Sequence, residues 1–168
     1  FLVEPDYEQA VTFFRKLTKR YAKSLYASKA KAHLDWILKP TIEVHVEHSY
    51  HPDTEMECSI LMKNTDSVDV ALYPVSLFSD GMVHEDGVHI DLPSNAKPLQ
   101  TYHIDKPKSQ KHSPVTCQLT LGQDLPLGAY YIVAKSGSVN ASKILLISDA
   151  SGILKHVKDQ VFLYFCDS

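Results

Sequence analysis

The densest group of side chains able to do chemistry is His45-Val-Glu-His48-Ser-Tyr-His51. Imidazole and carboxylate groups are ligands for zinc and related ions. Side chains alternate along an extended strand, so His45, Glu47 and His51 share one face and His48 points to the other. Same-face residues on a strand diverge, whereas zinc needs its nitrogens to converge at about 2.0–2.1 Å. The expectation is solvent-facing histidines and no metal. His84-Glu85 with His89 sits in a loop-like stretch and offers no better geometry. Asp53 and Glu57 read as a charged strand face, not as an acid–base pair.

Nucleophilic chemistry finds no context either. Ser, His and Asp are abundant, but no Gly-x-Ser-x-Gly elbow is present. Six glycines are too few to build a phosphate cradle. Cys58, Cys117 and Cys166 lack Cys-x-x-Cys spacing, so neither a zinc knuckle nor a redox pair is indicated. All three lie in apolar or alternating runs, where buried free thiols are expected; a Cys58–Cys117 bridge between facing strands stays open. Asn140-Ala-Ser142 is a formal glycosylation acceptor of a kind that arises by chance. The basic segment from Asp105 to Pro114 reads as an ordinary long hairpin loop, with a protease-accessible loop as the competing reading. No catalytic, cofactor-binding or metal-binding residue is assigned, and the chain reads as non-enzymatic.

The elements that would position these groups follow from periodicity. Asp6 and Glu8 favour the positive end of a helix, and Pro5 suits its opening. Tyr7, Ala10, Val11, Phe14, Leu17 and Tyr21 make one stripe at steps of three and four. Ser24 is placed to cap a second helix carrying Ala27, Ala30, Leu34 and Ile37, with Pro40 as terminator. A lone helical hairpin cannot bury both of its faces, so it must pack on something. After Pro40 the period changes to two. Ile42, Val44 and Val46 alternate, as do Met56, Cys58, Ile60 and Met62, and then Val68, Val70 and Leu72 after a turn at Asn64-Thr-Asp66. Residues 79–95 read as a long connection rich in Gly, Asp and His. Further strands are expected near Leu99–Ile104, Val115–Leu121, Ala129–Lys135 and Lys143–Ile147. Roughly seven short strands separated by turns make a mainly β fold, an immunoglobulin- or fibronectin-III-like antiparallel sandwich preceded by the α-helical hairpin. Residues 149–158 read as a polar junction turning at Ser151-Gly152. Val161–Cys166 reads as the opening strand of a further β-domain, expected to pair with an edge of the sandwich or to bury itself against another chain. Both termini read as cuts in a longer polypeptide.

A composition of 44% hydrophobic and 22% charged residues excludes wholesale disorder. With 17 basic against 20 acidic residues, the net charge of -3 gives no overall field for phosphate, so nucleic acid is not an expected partner. The apolar runs at Ile144–Ile147 and Val161–Cys166 are far too short to span a bilayer, so no transmembrane segment is expected.

Three stretches, in this order, resemble the bacterial alpha-2-macroglobulin family. The stretch from Tyr21 to Leu34 is similar to the tetratricopeptide-like region that precedes the macroglobulin domains in some members. Leu61-Met-Lys-Asn-Thr-Asp-Ser-Val-Asp-Val-Ala-Leu-Tyr-Pro-Val75 resembles the family's strand–turn–strand with an Asn turn and a Leu-Tyr step. Leu125-Pro-Leu-Gly-Ala-Tyr-Tyr131, Ile144-Leu-Leu-Ile-Ser-Asp149 and Val161-Phe-Leu-Tyr164 resemble the end of one macroglobulin domain and the start of the next. The resemblance implies a helical hairpin at 1–40, a macroglobulin-type sandwich at 41–148, and a linker with the first strand of a truncated β-domain at 149–168. It also implies an extracytoplasmic protein, periplasmic or secreted, that inhibits or traps proteases, with neighbouring domains of the same polypeptide and proteases as partners. The family's thioester Cys is followed two residues later by Glu-Gln, a pattern that none of Cys58, Cys117 and Cys166 meets. The rival expectation is a carbohydrate- or peptide-binding sandwich of a secreted multidomain protein. Such modules display aromatics on a sheet face, while the single Trp36 lies beside a helical stripe.

Overall fold

A computed structural model describes residues 5–47, 49–77, 79, 81–84, 87–122, 125–157 and 160–167; within 81–89 and 151–167 it describes the backbone alone. Helix α1 spans Tyr7–Arg20 and opens on Asp6, whose Oδ1 accepts from the Gln9 amide at 2.8 Å. Glu8 in the first turn and Lys19 and Arg20 in the last match the helix dipole. Helix α2 spans Leu25–Leu38. Ser24 holds its N-cap position, but the Ser24 hydroxyl makes no capping bond and is buried without a partner. Lys39 ends α2 in extended geometry, as the ring of the following Pro40 requires.

The two helices run antiparallel, since Tyr7 at the start of α1 meets Trp36 at the end of α2 with ring centroids 6.3 Å apart. Phe14 stacks on His33 at 5.2 Å, and Val11, Leu34 and Ile37 close the seam. Ala27 and Ala30 are buried, and their small side chains allow the close approach.

Beyond Pro40 the two larger sheets form a sandwich, beside two separate two-stranded pairs. One sheet orders β1 (Thr41–Val46), β3 (Glu57–Lys63) and β8 (Val115–Thr120) as β1-β3-β8, all antiparallel. The other contains β2 (Ser49–Tyr50), β4 (Ser67–Val75), β7 (Gln100–Asp105), β9 (Gly128–Ser136) and β10 (Val139–Ile147), in the order β2-β10-β9-β4-β7. Only the two-residue β2–β10 pairing is parallel, which makes this sheet mixed. Alternation puts Val44, Cys58, Ile60 and Met62 of the first sheet against Val68, Val70, Leu72, Ile132, Ala134 and Leu145 of the second in one core. Gly137, at φ 55, makes the tight β9–β10 turn.

Three segments depart from their expected structure. Residues 79–95 contain the antiparallel pair β5 (Gly81–His84) and β6 (Gly87–Ile90). Met82-Val83 and Val88 supply strand propensity that the surrounding Gly and Asp mask in the sequence. The supposed polar junction is strand β11 (Ala150–Val157), in which Gly152 lies opposite Phe165. Its partner is β12 (Gln160–Asp167), so Val161–Cys166 pairs with β11 and not with an edge of the sandwich. The hydrophobic run Ile153-Leu154 with Val157 outweighs the turn signal of Ser151-Gly152. Finally, β7 and β8 belong to different sheets, so the loop of residues 106–114 crosses between layers and is not a hairpin. Among the described residues no helix is long and apolar enough to cross a membrane.

The core predicts a sharp contrast between two leucines. Leu72 is wholly buried between the sheets, while Leu127 is 54% exposed. Leu72→Ala should cost about 2–5 kcal/mol in urea unfolding, and Leu127→Ala no more than about 0.5 kcal/mol.

Candidate functional site

Among the described residues of the histidine cluster, His45 and His51 each have a separate local partner. His45 Nε2 lies 3.2 Å from Glu43 Oε2 on the outer face of β1. His51 is in a turn, with Nδ1 3.0 Å from the carbonyl of Pro52. Glu47 is exposed, and His48 lies outside the described residues, as do Glu85 and the side chains of His84 and His89. No group of three or more His, Cys, Asp or Glu side chains arranged to hold a metal occurs among the described residues. Asp53 occupies a left-handed turn at φ 63 and Glu57 opens β3; both are exposed.

Register brings together one arrangement that sequence spacing concealed. Ser59 pairs with His45 across β1 and β3, so Glu43, His45 and Ser59 share a sheet surface. The Ser59 hydroxyl, however, bonds to Gln118 Oε1 at 2.9 Å, and the near nitrogen of His45 faces Glu43. Strand β3 is paired on both sides, so its amides are committed to the ladder and not to an oxyanion. A second His stands on the other sheet, where His103 Nδ1 lies 2.6 Å from Asp69 Oδ1 and Nε2 lies 3.4 Å from Asp105 Oδ1. The hydrogen bond that the His103 ring donates to Asp69 is the main cause of a His103 pKa above the usual imidazole value. With both nitrogens facing carboxylates, the geometry favours the protonated ring.

Cys58 and Cys117 are free thiols, two register steps apart in β3 and β8. Burial pushes the Cys58 thiol up to about 11, which suppresses the reactive thiolate. The side chain of Cys166 lies outside the described residues.

The best-organised polar group among the described residues is elsewhere, where α2 meets the sandwich. A helix leaves its last four carbonyls without intrahelical donors. In α2 the last turn carries no basic residue of its own. Lys63 supplies the missing charge from the end of β3: Nζ donates to the carbonyl of Trp36 at 2.8 Å and lies 4.3 Å from the centre of the indole ring. Burial lowers the Lys63 pKa, and the residue is only 7% exposed. Asn64 follows at φ 55, a left-handed conformation that Asn tolerates better than most residues. Its Nδ2 donates to the carbonyls of Ile37 at 2.7 Å and Lys39 at 3.2 Å. Those two bonds orient the amide, so Oδ1 must accept from His112 Nδ1 at 2.7 Å. The register that pairs Thr41 with Lys63 explains the meeting, because β1 starts immediately after α2 ends.

The crossing loop completes the junction. The Lys106 amide donates to the carbonyl of Asp66 at 2.8 Å, and Lys111 Nζ reaches Glu8 Oε1 of α1 at 3.9 Å. An open depression of about 610 Å³ lies between the Asn64–Asp66 turn and this loop, with Asp66, Asp105, Lys106 and His112 on its walls. Thr65 Oγ1 is buried there without a hydrogen-bond partner. Sequence reasoning located the Asn64 turn but neither Lys63 nor His112. Lys63 was legible only as a polar residue in a position next to buried Met62, and His112 left no signal at all.

No family model matches the chain, and neither does any curated protein. Among solved structures, the chain is similar to the CARDB domain of a Pyrococcus furiosus protein, solved in complex with di-metal ions. That likeness has 11% identity and a TM-score of 0.41, over 66% of this chain and 88% of that one. It is also similar to the sulfur carrier protein SoxY from Chlorobium limicola, at 7% identity and a TM-score of 0.29, over 73% of this chain and 98% of that one.

The junction yields a pH dependence. Burial, then Lys111, lowers the His112 pKa, with Arg15 and Lys106 acting in the same direction and Glu8 opposing. A folded-state pKa below the unfolded one means that the unfolded chain takes up the proton first. The contribution is complete above the unfolded value of about 6.5 and is lost as pH falls toward the folded value. His112→Asn keeps a donor near the Nδ1 position and tolerates the φ of 64. The stability advantage of wild type over this variant should therefore shrink as urea titrations move from about pH 7 to pH 5. An advantage that stays constant with pH would contradict this assignment.

Proposed function

We propose that this chain is a structural unit of macroglobulin type, an immunoglobulin-like sandwich in a large extracytoplasmic protein resembling the bacterial alpha-2-macroglobulin family. Its role is to hold a preceding helical hairpin (1–40) and a following β-unit (149–168) in register with the sandwich (41–148), within a polypeptide that inhibits or traps proteases. The observation that carries the reading is the Lys63–Asn64 clamp on the end of α2. Among the described residues, the best-organised polar contacts join two elements and do not present a group to a substrate.

The non-enzymatic part of the proposal rests on the same pattern. Ser59 bonds to Gln118, the nitrogens of His103 face two carboxylates, and Cys58 is a buried thiol. The rival reading, a carbohydrate- or peptide-binding sandwich, wants aromatics on a sheet face. Among the described residues the most exposed aromatics are Phe13, Tyr21, Tyr26 and Trp36, all on the helices or the turn between them.

A trap encloses a protease without blocking its active site. The polypeptide that contains this chain, mixed with an endoprotease in excess, should be cleaved and then protect large protein substrates. Cleavage of a small peptide substrate by the same protease should be retained. Unimpaired digestion of both substrates would sink the trapping role, and equal loss of both would point to an active-site inhibitor.

A further inference from the structure

The net charge of -3 conceals a strong separation. From Gln9 to Leu34 there are seven of the chain's 17 Lys and Arg residues and none of its 20 Asp and Glu residues, so the remainder carries -10. The seven are Arg15, Lys16, Lys19, Arg20, Lys23, Lys29 and Lys31, all exposed. Among the described residues, five of the seven large apolar side chains left in solvent lie on the helical pair, Leu99 and Leu127 being the others. Leu25 is 76% exposed, Tyr26 68%, Phe13 61% and Tyr21 56%. Tyr21, Leu25 and Tyr26 flank the α1–α2 turn, with Arg20 5.7 Å from the centre of the Tyr21 ring and Lys23 between them in sequence. This turn is the end of α2 remote from the Lys63–Asn64 clamp, roughly 20 Å away along the helix. At this tip the side chains of Tyr21, Lys23, Leu25 and Tyr26 stand exposed to solvent.

We propose that this tip docks on the surface of an anionic lipid bilayer. Charge complementarity requires a negative partner, and the side-chain types select among negative partners. Tyr settles at the boundary between headgroups and acyl chains, and Leu inserts beneath it. Lys and Arg reach back along their aliphatic stems to lipid phosphates. A nucleic acid would make use of the cations and stack on the tyrosines, but it has no use for Leu25, the most exposed large apolar residue among those described. The acidic remainder of the molecule is repelled by the same surface, so contact is directed through the tip and the sandwich is held away from the membrane.

Sedimentation with vesicles of phosphatidylserine and phosphatidylcholine, compared with vesicles of phosphatidylcholine alone, tests the proposal. Binding is expected to the anionic vesicles only and to weaken in high salt. Lys19→Glu with Lys23→Glu should reduce it tenfold or more. Leu25→Ser with Tyr26→Ser should also reduce it severalfold, whereas Leu127→Ser, exposed on the sandwich, should not. All these residues are exposed, and unchanged far-UV circular dichroism verifies that each variant folds. Equal binding to both vesicle types, or none to either, overturns the proposal. Binding that polyglutamate or an oligonucleotide removes and that ignores the Leu25–Tyr26 change also overturns it, in favour of a soluble polyanion. Dimerisation through the tip, with no vesicle binding, assigns it instead to a second copy of this chain.

Discussion

A helix that ends against a β-sheet must find donors for its last carbonyls, and most of this structure can be read from how α2 meets that demand. Within α2 the Lys39 amide reaches back to Asp35, but no side chain of the last turn serves the next carbonyls. Lys63 and Asn64 serve Trp36, Ile37 and Lys39 from the end of β3. Each bond is worth about 1 kcal/mol net, and leaving a buried partner unsatisfied costs about 1–3 kcal/mol. The larger effect is geometric. Because Lys63 ends a strand that is paired on both sides through Met62 and Asn64 follows it directly, the helix end is tied to the sheet.

The same end of the sandwich carries two of the crossings between its layers, the Asn64–Asp66 turn from β3 to β4 and the 106–114 loop from β7 to β8. His112 ties the second crossing to the first through the amide of Asn64. A positive φ at both Asn64 and His112 is the backbone cost of bringing the two crossings together. The far end of the helical pair has no such partners. It keeps its cations and its aromatics in solvent, so one short element is clamped at one end and chemically open at the other.

How much of this was legible in sequence depends on the range of the interaction. Val68, Val70 and Leu72 announced their strand because alternation is local. The change of element type at Pro40 was legible because proline restricts the residue before it. The β5–β6 and β11–β12 pairs were missed because Gly81, Gly87 and Gly152 signal turns locally, while strand pairing is decided by a partner elsewhere. The Ser59–His45 pairing depends on register between strands, which no spacing along the chain reveals. Lys63 was hidden for the same reason: its acceptor is a carbonyl 27 residues earlier in the chain. The charge asymmetry of residues 9–34 was legible throughout and was hidden only by summing over the whole chain.

The central claim is that the β3 terminus, and not the helical seam alone, holds the helices on the sandwich. Hydrogen exchange in the Lys63→Met, Asn64→Gly double variant, compared with wild type, reads this element by element. The account predicts faster exchange through α2, greatest toward its Pro40 end, with protection in β4 and β9 retained. Unchanged protection in α2, or an equal loss across helices and sheets, would contradict it.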